Sequence, residues 1–216
     1  MEYSEVAMNS PTKPRSGWSL GMGDLTQAAV FAALIAALGL PGTINLASGV
    51  PITLQSMGVM LAGAILGPKK GTLAVVLFAV LALAGLPILA GGRSGWTALS
   101  SPTGGFFVGF LPAVAIIGVL TALMMWSGPR APRYRVLPGI VINLLGGMAV
   151  LYLCGIVGLT MRGMSLGAAI TTNGPFVIGD VVKAVVTALV AAQVHRGWPG
   201  LIGPLRWRRT APSVSA

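Results

Sequence analysis

The chain has 216 residues, of which 55% are hydrophobic and only 8% are charged, and its formal net charge is +10. Soluble domains carry about a quarter charged residues, so this composition indicates an integral membrane protein and disfavours the aqueous enzyme classes. The single cysteine, Cys154, excludes a disulfide within the chain and a CxxC metal or redox motif.

Long apolar segments predict an all-α integral membrane fold with six transmembrane helices. The predicted helices lie at residues 24–40, 53–67, 71–90, 105–126, 137–159 and 175–195. Together they form one substrate-binding domain at residues 24–196. Residues 1–23 lack the apolar core of a signal peptide and are predicted to be a disordered cytoplasmic tail, and residues 197–216 a basic cytoplasmic tail.

The distribution of basic residues predicts the orientation. In a six-span arrangement only Arg93 and Arg162 lie on one side, and eleven basic residues lie on the other. Because positively charged loops remain in the cytoplasm, both termini are predicted to be cytoplasmic. The same bias explains the net charge, so binding of nucleic acid need not be invoked. The eleven residues are Lys13, Arg15, Lys69, Lys70, Arg130, Arg133, Arg135, Arg196, Arg206, Arg208 and Arg209.

The first predicted helix carries two rows of alanine at four-residue spacing, which lets another helix approach closely. That helix is either a neighbour within this chain or part of another membrane subunit. Asp24 is the expected N-cap, with Gln27 at the third helical position. The two rows are Ala28, Ala32, Ala36 and Ala29, Ala33, Ala37.

Two outer loops have unusual compositions. Residues 41–55 are uncharged and apolar, which suits either a lid over the bundle or a simple connector. Residues 90–110 are rich in glycine, which permits irregular backbone close to a ligand. Trp96 and its aromatic neighbours can stack on an apolar ring, and Thr103 offers a hydrogen bond. The alternative for this loop is a flexible connector with an interfacial aromatic belt.

Asp180 and Lys183 lie inside the last apolar segment, three residues apart and therefore on one helix face. A charge near the centre of a bilayer costs at least ~2.5–3.5 kcal/mol, so such residues usually have a partner or a function. An acceptor and a donor side by side suggest a small polar or anionic ligand. The alternative is a local ion pair that neutralises itself. Asn173, in the turn before this helix, is either a ligand contact or, more commonly for this residue, a helix cap.

No pattern in the sequence supports catalysis. There is no P-loop, the only histidine is His195 near a predicted helix end, and no cluster of cysteine, histidine and carboxylate resembles a metal site. We therefore expect neither enzymatic activity nor a bound metal or cofactor.

Three segments together resemble the BioY family, the biotin-binding S components of energy-coupling factor (ECF) vitamin transporters. They are Val50-Pro51-Ile52-Thr53-Leu54-Gln55, the Ser101-Pro102-Thr103-Gly104-Gly105-Phe106 stretch with Gly109-Phe110, and Gly179-Asp180-Val181-Val182-Lys183. The resemblance covers about residues 24–196. Arg93-Ser94 departs from it, because a smaller or neutral residue is expected at Arg93.

The resemblance implies a multi-pass protein of the prokaryotic inner membrane that binds biotin on its outer side. It also implies partners, namely a transmembrane scaffold subunit and paired cytoplasmic ATPases, with the alanine rows of the first helix facing the scaffold. A stand-alone or proton-coupled secondary transporter of biotin or another small carboxylate vitamin is the competing class. The expected substrate-binding residues are Asp180, Lys183, Thr103, Gly104, Gly91, Arg93, Trp96, Gln55 and Asn173.

Overall fold

The computed structural model describes residues 21–40, 44–45, 51–127 and 133–203. Within these residues the regular structure is helical, apart from a short antiparallel pairing of strands β1 (Ile44–Asn45) and β2 (Pro51–Ile52). The predicted all-α class is therefore confirmed. The helices are α1 (Met22–Ala37), α2 (Gln55–Leu61), α3 (Gly67–Leu83), α4 (Gly95–Leu99), α5 (Gly104–Met125), α6 (Val136–Leu144), α7 (Leu151–Thr160), α8 (Leu166–Thr171) and α9 (Val177–Gly197).

Three irregular turns extend these helices. A π-helical turn at Ala62–Leu66 continues α2, and another at Leu145–Val150 joins α6 to α7. A 3₁₀ turn at Gly174–Phe176 precedes α9. Since π-helical turns release a backbone carbonyl from the regular ladder, they commonly accompany functional regions.

Four helical stretches of the described chain are long and apolar enough to cross a membrane, and α1 is a shorter apolar helix of 16 residues. They are Gln55–Leu83, Gly104–Met125, Val136–Thr160 and Leu166–Gly197.

The first of these stretches reverses direction at Gly67, whose φ is +75°. A Cβ placed on Gly71 would lie 2.6 Å from the carbonyl oxygen of Ala62. Nine residues along a continuous helix would instead separate them by about 13 Å. Therefore α2 and α3 form a helical hairpin, as expected from the separate predicted helices 53–67 and 71–90.

The helix ends differ in detail from the prediction. The N-cap of α1 is Gly21, and the carboxylate of Asp24 accepts a hydrogen bond from the Gly21 N–H at 3.0 Å. Asp24 is thus the third helical residue of a capping box, so its prediction as the N-cap was wrong. The third predicted helix ends at Leu83 rather than 90, because Gly85 adopts a φ of +104° and Pro87 follows two residues later.

The two alanine rows of α1 have different surroundings. Ala28 and Ala32 are 0% and 4% exposed and pack inside the bundle, where α1 contacts α2 and α3. Ala29, Ala33 and Ala37 are exposed. Packing within the chain therefore accounts for the first row, whose last member, Ala36, is partly buried. The second row is not covered by packing among the described residues.

The ends of the bundle opposite the predicted outer loops are tied together by Lys70. Its Nζ donates hydrogen bonds to Gln27 Oε1 at 2.8 Å and to the carbonyl of Leu201 at 2.9 Å. Ile202 is 2% exposed and covers Gly67. The first described residues after α9 thus pack beneath the bundle, whereas most of the two predicted tails, residues 1–20 and 204–216, lies outside the described residues.

Candidate functional site

A cavity lies between α2, α5, α7 and α9 and the loop that precedes α4. Its space, counted out to the open mouth and including the solvent there, is about 670 Å³. The polar lining residues are Thr53, Gln55, Ser56, Arg93, Thr103, Tyr152, Asp180 and Lys183. The apolar lining residues are Leu89, Ala90, Ala98, Phe106, Phe107, Phe110, Leu151 and Phe176.

Aromatic packing forms one wall of the cavity. Phe107 and Phe110 of α5 contact each other and Phe78 of α3, with ring centroids 6.2–6.5 Å apart. Phe78 is fully buried, and the two α5 rings present their remaining surface to the cavity. Edge-to-face and tilted arrangements of this kind hold the rings in fixed orientations. The wall is therefore a closely packed apolar surface.

Asp180 and Lys183 form an ion pair inside this cavity. Lys183 Nζ lies 2.9 Å from Asp180 Oδ1, and both side chains are 8% exposed. Tyr152 donates a hydrogen bond to Asp180 Oδ2 at 2.7 Å, and Lys183 donates another to Ser56 Oγ at 3.2 Å. Both carboxylate oxygens thus have a donor. The two residues form a local ion pair, as the alternative interpretation predicted. They also line the cavity, as a role in ligand binding would require.

Arg93 reaches the cavity from a tight glycine turn. The backbones of Leu89 and Arg93 exchange two hydrogen bonds at 3.0 and 3.2 Å, and Gly91 and Gly92 between them have φ values of +75° and +68°. Side chains other than glycine rarely adopt this conformation. Gly91 is exposed and does not line the cavity; its structural role is to close the turn that places Arg93.

The guanidinium of Arg93 is held by neutral acceptors. Its Nε donates to the Ala90 carbonyl at 3.0 Å, and its Nη1 donates to the hydroxyls of Ser101 at 3.3 Å and Thr103 at 3.1 Å. Partial burial lowers the pKa of the Arg93 guanidinium, but arginine remains protonated in proteins because its ordinary pKa lies far above neutral pH. The cavity therefore contains a fixed positive charge.

Gln55 connects the cavity wall to the turn. It is 2% exposed, and its Nε2 donates to the carbonyls of Ile35 at 3.3 Å and Ile88 at 3.0 Å. Its Oε1 accepts the Ala90 N–H at 3.3 Å. Most of the hydrogen-bonding capacity of this amide is used inside the protein. Its structural role is to fasten the 88–90 segment to α1 and α2.

Three further predicted residues lie outside the cavity lining. Trp96 on α4 is 65% exposed. Gly104 begins α5 close to the Leu99 carbonyl, where a Cβ would lie 2.8 Å from that oxygen. Asn173 is buried and donates from Nδ2 to the Ala169 carbonyl at 2.9 Å, which satisfies the C-terminal end of α8. At the 3₁₀ turn that leads into α9, Asn173 is the N-cap residue but its side chain makes no capping hydrogen bond among the described residues.

The structure brings Gln55, Arg93, Thr103, Asp180 and Lys183 together around one cavity. The sequence prediction missed Tyr152 and Ser56, the two residues that hydrogen-bond the ion pair. A tyrosine within an apolar helix needs a hydrogen-bond partner at membrane depth, which is a signal that could have pointed to it. Within the described residues, no group of three or more histidine, cysteine or acidic side chains could hold a metal ion.

Comparisons with known proteins agree with this architecture. The model of the BioY family matches residues 8–200. The chain is 42% identical to a protein of Rhodobacter capsulatus named biotin transporter BioY, over 83% of this chain and 96% of that protein. It is 40% identical to one of the same name from Rhizobium etli, over 82% and 95%. A crystal structure described as the S-component for biotin from an ECF-type ABC transporter superimposes with a TM-score of 0.74 and 32% identity, covering 82% of this chain and 95% of that one.

Proposed function

The chain belongs to the BioY family, and we propose that it captures biotin from the outer side of the membrane for uptake, as the S component of an ECF transporter. It is a transport protein and not an enzyme. The observation that carries the proposal is the buried Asp180–Lys183 pair in the lining of a cavity with an aromatic wall.

The chemistry of the cavity matches that of biotin. The ureido ring of biotin is neutral and presents two N–H donors beside a carbonyl acceptor. Asp180 offers carboxylate lone pairs to such a donor, and Lys183 offers an N–H to such an acceptor. The apolar wall suits the thioether ring and the aliphatic chain. Two charge-assisted hydrogen bonds of about 1.5–3 kcal/mol each, together with burial of the rings, support nanomolar affinity.

We place six spans in the prokaryotic inner membrane with both termini in the cytoplasm. The spans are α1, the two arms of the hairpin at Gly67, α5, α6–α7 and α9. The contact between Lys70 and Leu201 brings the hairpin turn and the end of α9 to the same end of the bundle. This supports the predicted clustering of basic residues on the cytoplasmic side. The cavity and Arg93 then belong to the outer half.

The proposed partner surface is the exposed alanine row of α1, namely Ala29, Ala33 and Ala37. Small residues along a helix permit close approach by another transmembrane helix. We propose that a transmembrane scaffold subunit packs there and that paired cytoplasmic ATPases energise it. The buried row of Ala28 and Ala32 is excluded from this surface because it is already covered within the chain.

Binding of biotin to the purified chain in detergent is the direct test. Titration calorimetry is expected to give a sub-micromolar dissociation constant, a free energy of roughly −8 kcal/mol or stronger. Lipoate is the control ligand, because it has a carboxylate and a sulfur ring but no ureido group, and it is expected not to compete. Absence of binding at biotin concentrations in the tens of micromolar would refute the proposal. Equal competition by lipoate would show that the ureido group is not recognised.

A further inference from the structure

The charges of the cavity do not balance without a ligand. Three ionised side chains line it, namely Asp180, Lys183 and Arg93. The first two cancel each other at 2.9 Å. Among the described residues, no carboxylate lies within 4.0 Å of the Arg93 guanidinium. The cavity lining therefore carries one excess positive charge, which an anionic ligand would neutralise.

The guanidinium of Arg93 is positioned in advance for such a ligand. Its Nε and Nη1 are engaged by Ala90, Ser101 and Thr103, whereas Nη2 makes no hydrogen bond within the described part of the chain. The glycine turn fixes the backbone on one side, and the Ser101–Thr103 hydroxyl pair, 2.7 Å apart, fixes the side chain. An arginine held this way loses little conformational entropy when it binds a carboxylate.

Lys183 is a poorer partner for a ligand carboxylate. Its Nζ already bonds Asp180 and Ser56. A second carboxylate at Lys183 would also lie close to Asp180, and like charges at such separations repel strongly in a buried site. A neutral group with both donors and acceptors suits the ion pair better, because it can share these hydrogen bonds without adding charge.

Resting on the proposed function, we infer that Arg93 binds the carboxylate of the valeryl chain of biotin while the ureido ring faces Asp180 and Lys183. Arg93 is then a specificity-determining residue. It selects the free acid over derivatives in which the carboxyl group is an amide, such as biotin attached to lysine. The positive residue that departs from the family pattern thereby acquires a role in this chain.

The inference is tested by combining changes in the protein and in the ligand. Affinities for biotin and for biotinamide, the uncharged primary amide, are measured by competition with labelled biotin. Wild type is expected to prefer biotin by roughly tenfold or more, the usual scale of a charge-assisted hydrogen bond. Arg93→Gln is expected to abolish this preference by lowering the affinity for biotin, while the affinity for biotinamide changes less than about threefold. Arg93→Lys, which keeps the charge but not the fork of donors, is expected to retain part of the preference.

Several outcomes would overturn the inference. It fails if wild type binds the two ligands equally, or if Arg93→Gln keeps the full preference for biotin. It also fails if Lys183→Met alone removes the preference, since the carboxylate would then lie at Lys183. If wild type binds neither ligand, both the proposed function and the inference about Arg93 fail. This result is distinguishable from the others. The wild-type comparison and Arg93→Lys decide the question even if Arg93→Gln does not fold.

Discussion

Removing one or both charges of the ion pair separates a role in binding from a role in folding. Lys183→Met leaves the Asp180 carboxylate, which is 8% exposed, with Tyr152 as its only remaining hydrogen-bond donor among the described residues. Breaking a buried ion pair by deleting one partner typically destabilises a protein by about 3–5 kcal/mol, because the other charge stays buried. We therefore expect a clear fall in the melting temperature of this single variant. Asp180→Asn keeps the shape of the side chain and leaves the lysine as the uncompensated charge.

The double variant Asp180→Asn with Lys183→Met restores neutrality. Replacing both members of a buried pair is often nearly neutral for stability, so its melting temperature is expected to approach that of wild type. Binding is expected to behave differently. If the ureido ring of biotin contacts both charges, each single change weakens binding by roughly 2–4 kcal/mol, about 30- to 1000-fold, and the double variant stays defective.

The assay is titration of labelled biotin into all three variants after size-exclusion chromatography has shown that each is monodisperse. Thermal unfolding in the same detergent gives the stability of each variant. A folded double variant with weak binding supports direct contact with the ligand. Wild-type affinity in the double variant would remove Asp180 and Lys183 from the site and leave them a purely structural pair.

Four further variants test the surroundings of the ion pair, the anchoring role of Gln55 and the surface of α1. Tyr152→Phe removes the 2.7 Å hydrogen bond to Asp180 and is expected to weaken biotin binding roughly 10- to 100-fold, as for other hydrogen bonds to charged groups; unchanged affinity in the titration would limit Tyr152 to packing. Gln55→Leu leaves the Ala90 N–H and two backbone carbonyls without their hydrogen-bond partner. It is expected to lower the free energy of unfolding by about 2 kcal/mol or more, which is measured as a lower melting temperature. An unchanged melting temperature would contradict the anchoring role of Gln55. Ala32→Trp is expected to unfold or destabilise the protein, because Ala32 is 4% exposed. The matched variant Ala33→Trp, on the exposed row, is expected to keep biotin binding but to lose biotin uptake in cells that supply the energising subunits. Normal uptake by Ala33→Trp would place the scaffold elsewhere.

The long helices could be predicted because length and apolar composition alone define a membrane-spanning segment. The same criterion overlooked α4 and α8, which have five and six residues and are too short to show as apolar runs. It also carried the third helix too far, because the residues after Gly85 are apolar although they leave the helix. Here the local backbone preference of glycine, rather than hydropathy, decides the boundary.

The charged core of the site was predictable for a related reason. A charge is expensive in an apolar segment, so Asp180 and Lys183 stand out without any knowledge of the fold. The partner of Tyr152 cannot be read from the sequence, because Asp180 is 28 residues away and only the fold brings the two side chains together. Gln55 lines the cavity and Gly91 lies outside its lining, yet both hold the turn before α4. A linear motif does not distinguish this structural role from ligand contact.

The hydrogen bonds in the cavity connect side chains from different helices. This arrangement affects the free energy of ligand binding. Ser56 of α2, Tyr152 of α7 and the two charges of α9 form one connected network. Ordering long side chains on binding costs about 0.5–1.5 kcal/mol for each one, and a network already formed avoids most of that cost. A ligand that shares the existing hydrogen bonds therefore gains more than one that must break them. A ureido group can share them because it carries donors and an acceptor within one plane, whereas a second carboxylate would have to compete with Asp180 for Lys183.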